Sequence, residues 1–417
     1  MNEHLPETPR IKTDLMFEGV RWTSALADAM SFAAPNFYPY RFGRDEDDPT
    51  GTGKSVMPYL LTLEDGTLIR LKGNPQSAWR IEGPDAGGAY SLWHDDTDKA
   101  MRSPVSFDPR PTWADQKTSD GTPMSGVGVD FHGEMLVVNV APGCQYFTAK
   151  PDSGKGSLRC TFCGYGRPDD RMKPLGQTLD KVELEDFTYV RLREALRAAK
   201  AEGRMRHVYL VGGSMTDWAE EGRRFLELAR VVRQEVGDSA YVALGGGALP
   251  TEYLEQFHAE GLVDGVCFNL EVWGHELFKS VCPGKEKFVG WDRWLGSLYA
   301  ASELWGRDNV FTAMVGGIEL EPEHGGWAVD AAIEQAMEGA RTLLTNGVTP
   351  VWSLYWPLWG ADHPRRMAEL RAYFEELNVA YAALRRELGV VVNPDFLSHK
   401  SAYMQLECDM DRAFEAA

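Results

Sequence analysis

The sequence predicts an α/β protein built on six parallel βα units, with a compositionally different segment ahead of them. Two observations carry this. From Met135 onward, strand-length apolar runs recur at 135–140, 208–211, 241–244, 266–270, 310–315 and 351–355. Between them lie helical patterns at 184–201, 218–236, 252–260, 291–304 and 328–345, and another at 365–388 follows the last strand. Short buried strands alternating with helices imply parallel pairing, because each crossover must return the chain to the same edge.

The segment before Met135 follows another rhythm. Residues 45–54 are acidic and then glycine-rich, and β-type runs at 59–63 and 67–71 flank Glu64-Asp65-Gly66. Two such runs around Asp-Gly predict a hairpin. Residues 104–128 are rich in Pro, Asp, Ser, Thr and Gly and read as a loop or linker. The expected organisation is an α+β or β-rich N-terminal extension over 1–134, a (βα)6 core over 135–360 and a helical C-terminal extension over 361–417.

Composition narrows the function. The chain has 417 residues, with 43 basic against 62 acidic side chains and a net charge of −19. That balance argues against nonspecific binding to nucleic acid or to anionic membrane, both of which reward cationic surface. No apolar run approaches the roughly 18 residues of a membrane span, and Met1-Asn2-Glu3-His4-Leu5-Pro6 shows no secretory signal. Six cysteines in a chain this long do not make a disulfide framework. The expected home is a reducing cytoplasm.

Three of those cysteines follow the first strand of the series, in Gly143-Cys144 and Arg159-Cys160-Thr161-Phe162-Cys163-Gly164. A [4Fe–4S] cluster normally takes four cysteines, so three would leave one iron open. A structural zinc site is the alternative, but zinc wants a fourth ligand at recognisable spacing, often a second Cys-x2-Cys or a His pair. Cys-x-aromatic-Cys-Gly with one earlier cysteine resembles the cluster loop of the radical S-adenosylmethionine (SAM) superfamily. The spacing is atypical, Cys-x15-Cys-x2-Cys where the family usually has Cys-x3-Cys-x2-Cys. The insert, 145–159, is rich in loop formers, and a flexible loop costs little extra closure entropy as it lengthens.

The resemblance implies a partial (βα)6 TIM-like barrel, most like biotin synthase and lipoyl synthase-related members. It also implies a [4Fe–4S] cluster on Cys144, Cys160 and Cys163, with SAM on the open iron. One electron from the cluster would cleave SAM to methionine and a 5′-deoxyadenosyl radical. Val211-Gly212-Gly213-Ser214 resembles the family's Gly-Gly-Glu motif for the SAM amino group, with Ser214 in place of Glu. The fourth strand ends Cys267-Phe268-Asn269-Leu270-Glu271, and alternation places Cys267, Asn269 and Glu271 on one face. An Asn-x-acid pair there looks like the SAM and substrate contacts of lipoyl and biotin synthases. Gly316 and Glu319 fit the G-x-I-x-G-x-x-E element that packs on adenine, with Thr312 replacing its first Gly, and Phe162 completes the expected cofactor contacts. The run from Ser353 to Trp359 is a candidate aromatic wall.

The function so implied is hydrogen abstraction from a small molecule, whose radical then rearranges, fragments or is quenched. Sulfur insertion or methylation by the same radical is the alternative within the superfamily, and a non-catalytic iron–sulfur or zinc module or redox sensor is the alternative outside it. The expected partners are a small-molecule substrate and a low-potential electron donor such as flavodoxin or ferredoxin, with no nucleic acid and no membrane. No second catalytic residue is assigned. Cys267, Cys282 and Cys408 are isolated in sequence, and buried packing cysteines are the plain reading. Lys150 and Lys155 in the insert are candidates to meet an anionic substrate. Gly51-Thr52-Gly53-Lys54-Ser55 echoes a phosphate-binding loop but lacks its first Gly, and His94-Asp95-Asp96 reads as a solvated turn.

Overall fold

In a computed structural model, the described residues are 4–21, 60–71, 74, 76–96, 102–163, 184–355, 364–393 and 404–415. The acidic run 45–54, the Gly51–Ser55 echo, Gly164 and the aromatic residues Trp356 and Trp359 lie outside them. The chain divides into two compact units, residues 1–111 with 397–417, and residues 112–396.

The first unit contains helix α1 (Glu7–Glu18) and five antiparallel strands, β1 (Leu60–Leu63), β2 (Leu68–Arg70), β3 (Trp79–Glu82), β4 (Tyr90–His94) and β5 (Arg102–Ser106), in the order β2-β1-β5-β4-β3. The Asp-Gly hairpin is present. Leu60 pairs with Arg70, Gly66 sits at φ 85°, and the Asp65 carboxylate accepts the Thr67 N–H at 2.9 Å. Ile11 and Leu15 of α1 share a core with Leu61, Ile69, Trp79, Ile81 and Leu92. Helix Glu407–Glu415 joins this unit. The fully buried Lys12 ammonium donates to Asp409 at 2.6 Å and to the Gln405 carbonyl at 2.6 Å.

Part of the expected linker 104–128 is strand. Pro104 lies within β5 opposite Ser91, but β5 meets β1 only at Val105 and Ser106, so Pro104 has a strand neighbour on one side alone. The remainder of that stretch belongs to the second unit, which starts at Thr112 rather than at Met135. It is fastened to helix α2 (Asp186–Glu202). Glu202 accepts from the Thr112 hydroxyl and the Trp113 N–H, and Glu194 accepts from Ser119.

The second unit holds one seven-stranded sheet. It runs β6 (Val129–His132), β7 (Met135–Val138), β8 (His207–Leu210), β9 (Tyr241–Gly246), β10 (Gly265–Phe268), β11 (Val310–Gly316) and β12 (Thr349–Leu354), side by side in chain order. Strands β7 to β12 are all parallel; β6 pairs antiparallel with β7 across the Gly133-Glu134 turn, with Gly133 at φ 62°. The crossovers are α2, α3 (Trp218–Val236), α4 (Thr251–Ala259), then α5 (His275–Val281), α6 (Pro283–Phe288) and α7 (Trp291–Trp305), then α8 (Val329–Thr345); α9 (Pro364–Glu387) follows β12. The six apolar runs and their helices thus fall where the sequence periodicity puts them. Three elements of this unit were not anticipated. Strand β6 is short and mixed, and α5 and α6 are each too short to show a period.

Parallel register sorts the side chains. Leu136, Val208, Val242, Val266 and Val310 line up on one face, each buried, and Trp352 on that face packs edge-on to Tyr381 of α9. Val137, Tyr209, Ala243, Phe311 and Val351 line the other face. Cys267 is on that second face opposite Gly245, and a β-carbon on Gly245 would fall 2.1 Å from the Tyr209 hydroxyl.

Candidate active site

The chemistry-bearing residues gather past the C-terminal ends of β7 to β11, where a parallel sheet leaves its loops free to converge. The loop carrying Cys144 and the loop after β8 are in direct backbone contact. The Gly213 N–H donates to the Ala141 carbonyl at 2.9 Å, and the Gln145 N–H donates to the Ser214 carbonyl at 2.9 Å. A β-carbon on Gly213 would sit 1.8 Å from the Gly143 carbonyl oxygen, so only glycine permits this approach. The Gly213 carbonyl accepts from Arg224 at 2.6 Å. Both polar groups of Gly213 are therefore engaged within the chain. Ser214 shares a hydrogen bond with the Tyr146 hydroxyl.

The insert between the first and second cysteines is docked. Tyr146 is buried and stacks on Phe288 of α6, with ring centroids 5.4 Å apart. The Leu158 N–H donates to the Tyr146 and Ala149 carbonyls, each at 3.1 Å. A β-carbon on Gly284 would meet the Leu158 carbonyl at 2.5 Å, so α6 lies close against the insert. Of the two lysines, Lys150 donates to the Gly156 carbonyl at 3.1 Å and so closes the loop on itself. Lys155 is exposed.

Beyond the insert, Cys160 is buried, while Cys144, Phe162 and Cys163 are half-buried. The Cys163 N–H donates to the Cys160 carbonyl at 3.1 Å. Thr161 is held twice: its N–H donates to the Val281 carbonyl at 2.9 Å, and its hydroxyl shares a 3.0 Å hydrogen bond with His324 Nε2, whose Nδ1 meets the Ser280 hydroxyl at 3.0 Å. Burial pushes the Cys144 thiol up to about 12, and the neighbouring Cys160 and Cys163 add to that rise. The nearby Cys282 thiol holds Cys160 below its ordinary value, against the effect of burial. None of the six cysteines is in a disulfide. Among the described residues no three His, Cys, Asp or Glu side chains stand as they lie in an arrangement that would hold a metal ion.

Asn269 and Glu271 follow β10. The Cys267 thiol donates to Asn269 Oδ1 at 3.4 Å, as expected for two residues on one face. Glu271 departs from simple alternation: its φ is 74°, and its backbone pairs with β11 through the Val315 N–H at 2.6 Å. Its carboxylate accepts from the Lys285 ammonium at 2.7 Å. Lys285 also donates to the Asn269 carbonyl and lies 4.4 Å above the Trp294 ring. Burial pushes the Glu271 carboxyl up and Lys285 pulls it down; Lys285 itself is raised by Glu271, Cys160 and Cys282 against its own burial. We take the ion pair as the resting state, because a 2.7 Å contact between two buried groups leaves each as the other's counter-charge.

A second buried carboxyl, Glu221, accepts from the Met215 N–H at 2.8 Å and the Gly247 N–H at 3.2 Å, tying the loops after β8 and β9 together. Burial raises it, and Arg224 one turn along α3 opposes the rise. Gly316 and Glu319 form a separate group. Gly316 faces Trp352 and Tyr373, and the Glu319 carboxyl bonds to the Tyr373 hydroxyl. Glu319, Trp352 and Tyr373 line a small cavity of about 20 Å3 together with Glu271, Met314 and Gln335.

The structure thus brings Cys144, Cys160, Cys163, Gly213 and Ser214 into one neighbourhood, and ties Asn269 to Glu271 through Lys285, whose charge is felt at Cys160. Gly212 approaches the Ala141 carbonyl and Phe225. Sequence reasoning missed Glu221, Arg224, Tyr146 and His324 as site residues. Glu221 and Arg224 carried a signal, because both interrupt the face of α3 formed by Phe225, Leu228 and Val232.

No family model matches the chain. Over 265 residues it is 23% identical to the bacteriochlorophyllide c C-7(1)-hydroxylase of Chlorobaculum limnaeum. The chain is similar to a known enzyme. The match covers 60% of this chain and spans 60% of the relative's length. Among solved structures, a radical SAM methyltransferase from Sphaerobacter thermophilus superposes with a TM-score of 0.38 and 14% identity, over 73% of this chain and 76% of the other. A superposition that loose carries no argument.

Proposed function

We infer that this chain is a radical SAM enzyme that abstracts hydrogen from a small molecule. The observation that carries the reading is that Cys144, Cys160 and Cys163, none of them in a disulfide, are neighbours past the C-terminal end of β7, the last two in a Cys-x-aromatic-Cys run. The donor set suits an iron–sulfur cluster, which takes thiolate sulfur. As they lie the thiols do not clasp an ion, so loading requires Cys160 to turn from Cys282 toward its two partners. Bound there, a [4Fe–4S] cluster would supply the electron that cleaves SAM reductively. The six sequential βα units support a partial (βα)6 barrel.

The chain's own residues would bind and shield. The insert docks on α6 through Tyr146, which is buried two residues from Cys144. Lys285 supplies a fixed positive charge beside Asn269 and Glu271, suited to a carboxylate such as that of SAM. Since Gly213 spends its N–H and C=O internally, Ser214 and Asn269 are the better candidates to meet the methionine end. Gly316 and Glu319 are assigned to the adenine side. A low-potential donor such as flavodoxin or ferredoxin would deliver the electron in the cytoplasm. The similarity to a hydroxylase favours functionalising an unactivated carbon of a small molecule over sulfur insertion.

The test is direct. Anaerobically reconstituted, dithionite-reduced protein incubated with SAM should release 5′-deoxyadenosine, and the Cys160→Ala variant should release none. Absence of the nucleoside from protein carrying a full cluster would overturn the reading.

A further inference from the structure

Cys282 has no place in the proposed ligand set, yet the backbone sets it beside Cys160. The two are 122 positions apart and lie on different βα units. Their contact is built in from the backbone. The 2.9 Å hydrogen bond from the Thr161 N–H to the Val281 carbonyl joins the peptide unit leaving Cys160 to the peptide unit entering Cys282. Two further features remove slack from this junction. Gly284 allows α6 to close on the Leu158 carbonyl, and His324 bridges Thr161 to Ser280. The two thiols lie near enough for each to shift the other's proton affinity. A disulfide needs α-carbons about 4.4–6.8 Å apart and β-carbons pointing together, which the hydrogen bond between the flanking peptides favours. Accessibility is one-sided, since Cys160 is 8% exposed and Cys282 0%.

We propose that Cys160 and Cys282 form a reversible disulfide in the cluster-free chain. With a small disulfide such as oxidised glutathione as oxidant, the Cys160 thiolate attacks one glutathione sulfur, the glutathione S–S bond breaks, and one glutathione thiolate leaves. Cys282, giving its proton to solvent, then attacks Cys160 Sγ in the mixed disulfide and expels the second glutathione. Two protein thiols are oxidised and one glutathione disulfide is reduced to two thiols. A small thiol reverses the sequence. The consequence for cluster loading rests on Cys160 being a ligand: oxidation withdraws one of three donors, so the chain cannot take up iron until it is reduced.

The test uses the full chain, stripped of metal by chelation and treated anaerobically with oxidised glutathione. Non-reducing peptide mapping should show the Cys160 peptide joined to the Cys282 peptide, and dithiothreitol should release both. In Cys282→Ser, which keeps the size of the side chain, glutathione should remain on Cys160. Wild-type protein that keeps glutathione on Cys160 with Cys282 free, or that joins Cys160 to Cys144 or Cys163, overturns the proposal. Iron and sulfide uptake is then compared before and after dithiothreitol. A cross-linked chain that loads as fully as the reduced one would overturn Cys160 as a ligand while leaving the disulfide standing, so the two failures are distinguishable.

Discussion

Lys285 and Glu271 show how much one buried contact can carry. Both side chains are near-fully buried and 2.7 Å apart, and removing one partner strands the other as an unpaired charge. Lys285→Met is therefore expected to destabilise the second unit by about 3–5 kcal/mol, read as a lower urea midpoint at unchanged slope. A double variant with Glu271→Gln should recover much of that loss; strictly additive losses would show that the groups are not coupled. His324 gives a pH signature. Burial lowers its folded value, against the pull of Glu321 and Glu323, so the unfolded chain binds the proton more readily. Stability is then complete above the unfolded value of about 6.5 and is lost as pH falls through it toward the folded one. In His324→Gln the fall in unfolding midpoint between pH 7 and 5.5 should shrink; an identical pH slope would remove His324 as its cause. Asn269 and the three cysteines were legible in sequence because motif spacing and strand alternation act locally. His324 was not, because it matters only through Thr161 and Ser280, which other βα units bring up.

At the scale of elements, glycines set how closely the loops meet. Gly213 and Gly284 each occupy a place where a β-carbon would enter a neighbouring carbonyl oxygen, of Gly143 and of Leu158. Gly284→Ala should loosen the insert from α6, so that trypsin cuts after Lys150 or Lys155 at a several-fold higher rate than in wild type, with the far-ultraviolet dichroism retained. An unchanged cleavage rate would mean that the stacking of Tyr146 on Phe288 suffices alone. Gly213→Ala should act on Cys144 through the backbone. A loss of SAM binding in that variant would therefore report displaced loops and not a blocked pocket. Strands β7 to β12 were readable because fully buried strands leave continuous apolar runs. The insert was read as flexible from its Pro, Gly, Ser and Lys content, while its docking depends on Tyr146 and Leu158 at its two ends. Strand β5 was hidden by Pro104, whose exclusion from strands fails where one neighbour is missing.

At the scale of the whole molecule, the first unit is completed by residues from far along the chain. Lys12 is wholly buried, and its carboxylate partner, Asp409, is on helix Glu407–Glu415. Deleting 397–417 should destabilise the first unit by roughly 3–5 kcal/mol from the stranded ammonium alone, seen as an early unfolding transition. The later transition, of the parallel sheet, should keep its midpoint. A single cooperative shift of both would show that the units do not unfold separately. This shared ownership also imposes an order on synthesis. A ribosome delivers the chain from its N-terminus at about 5–20 residues per second, so the early sheet waits for its last helix while the entire second unit is made. Through that interval Lys12 lacks its counter-charge and the sheet is exposed to wrong partners. Nascent chains arrested before residue 404 should accordingly be held by chaperones through their first hundred residues, and release should follow once Asp409 emerges.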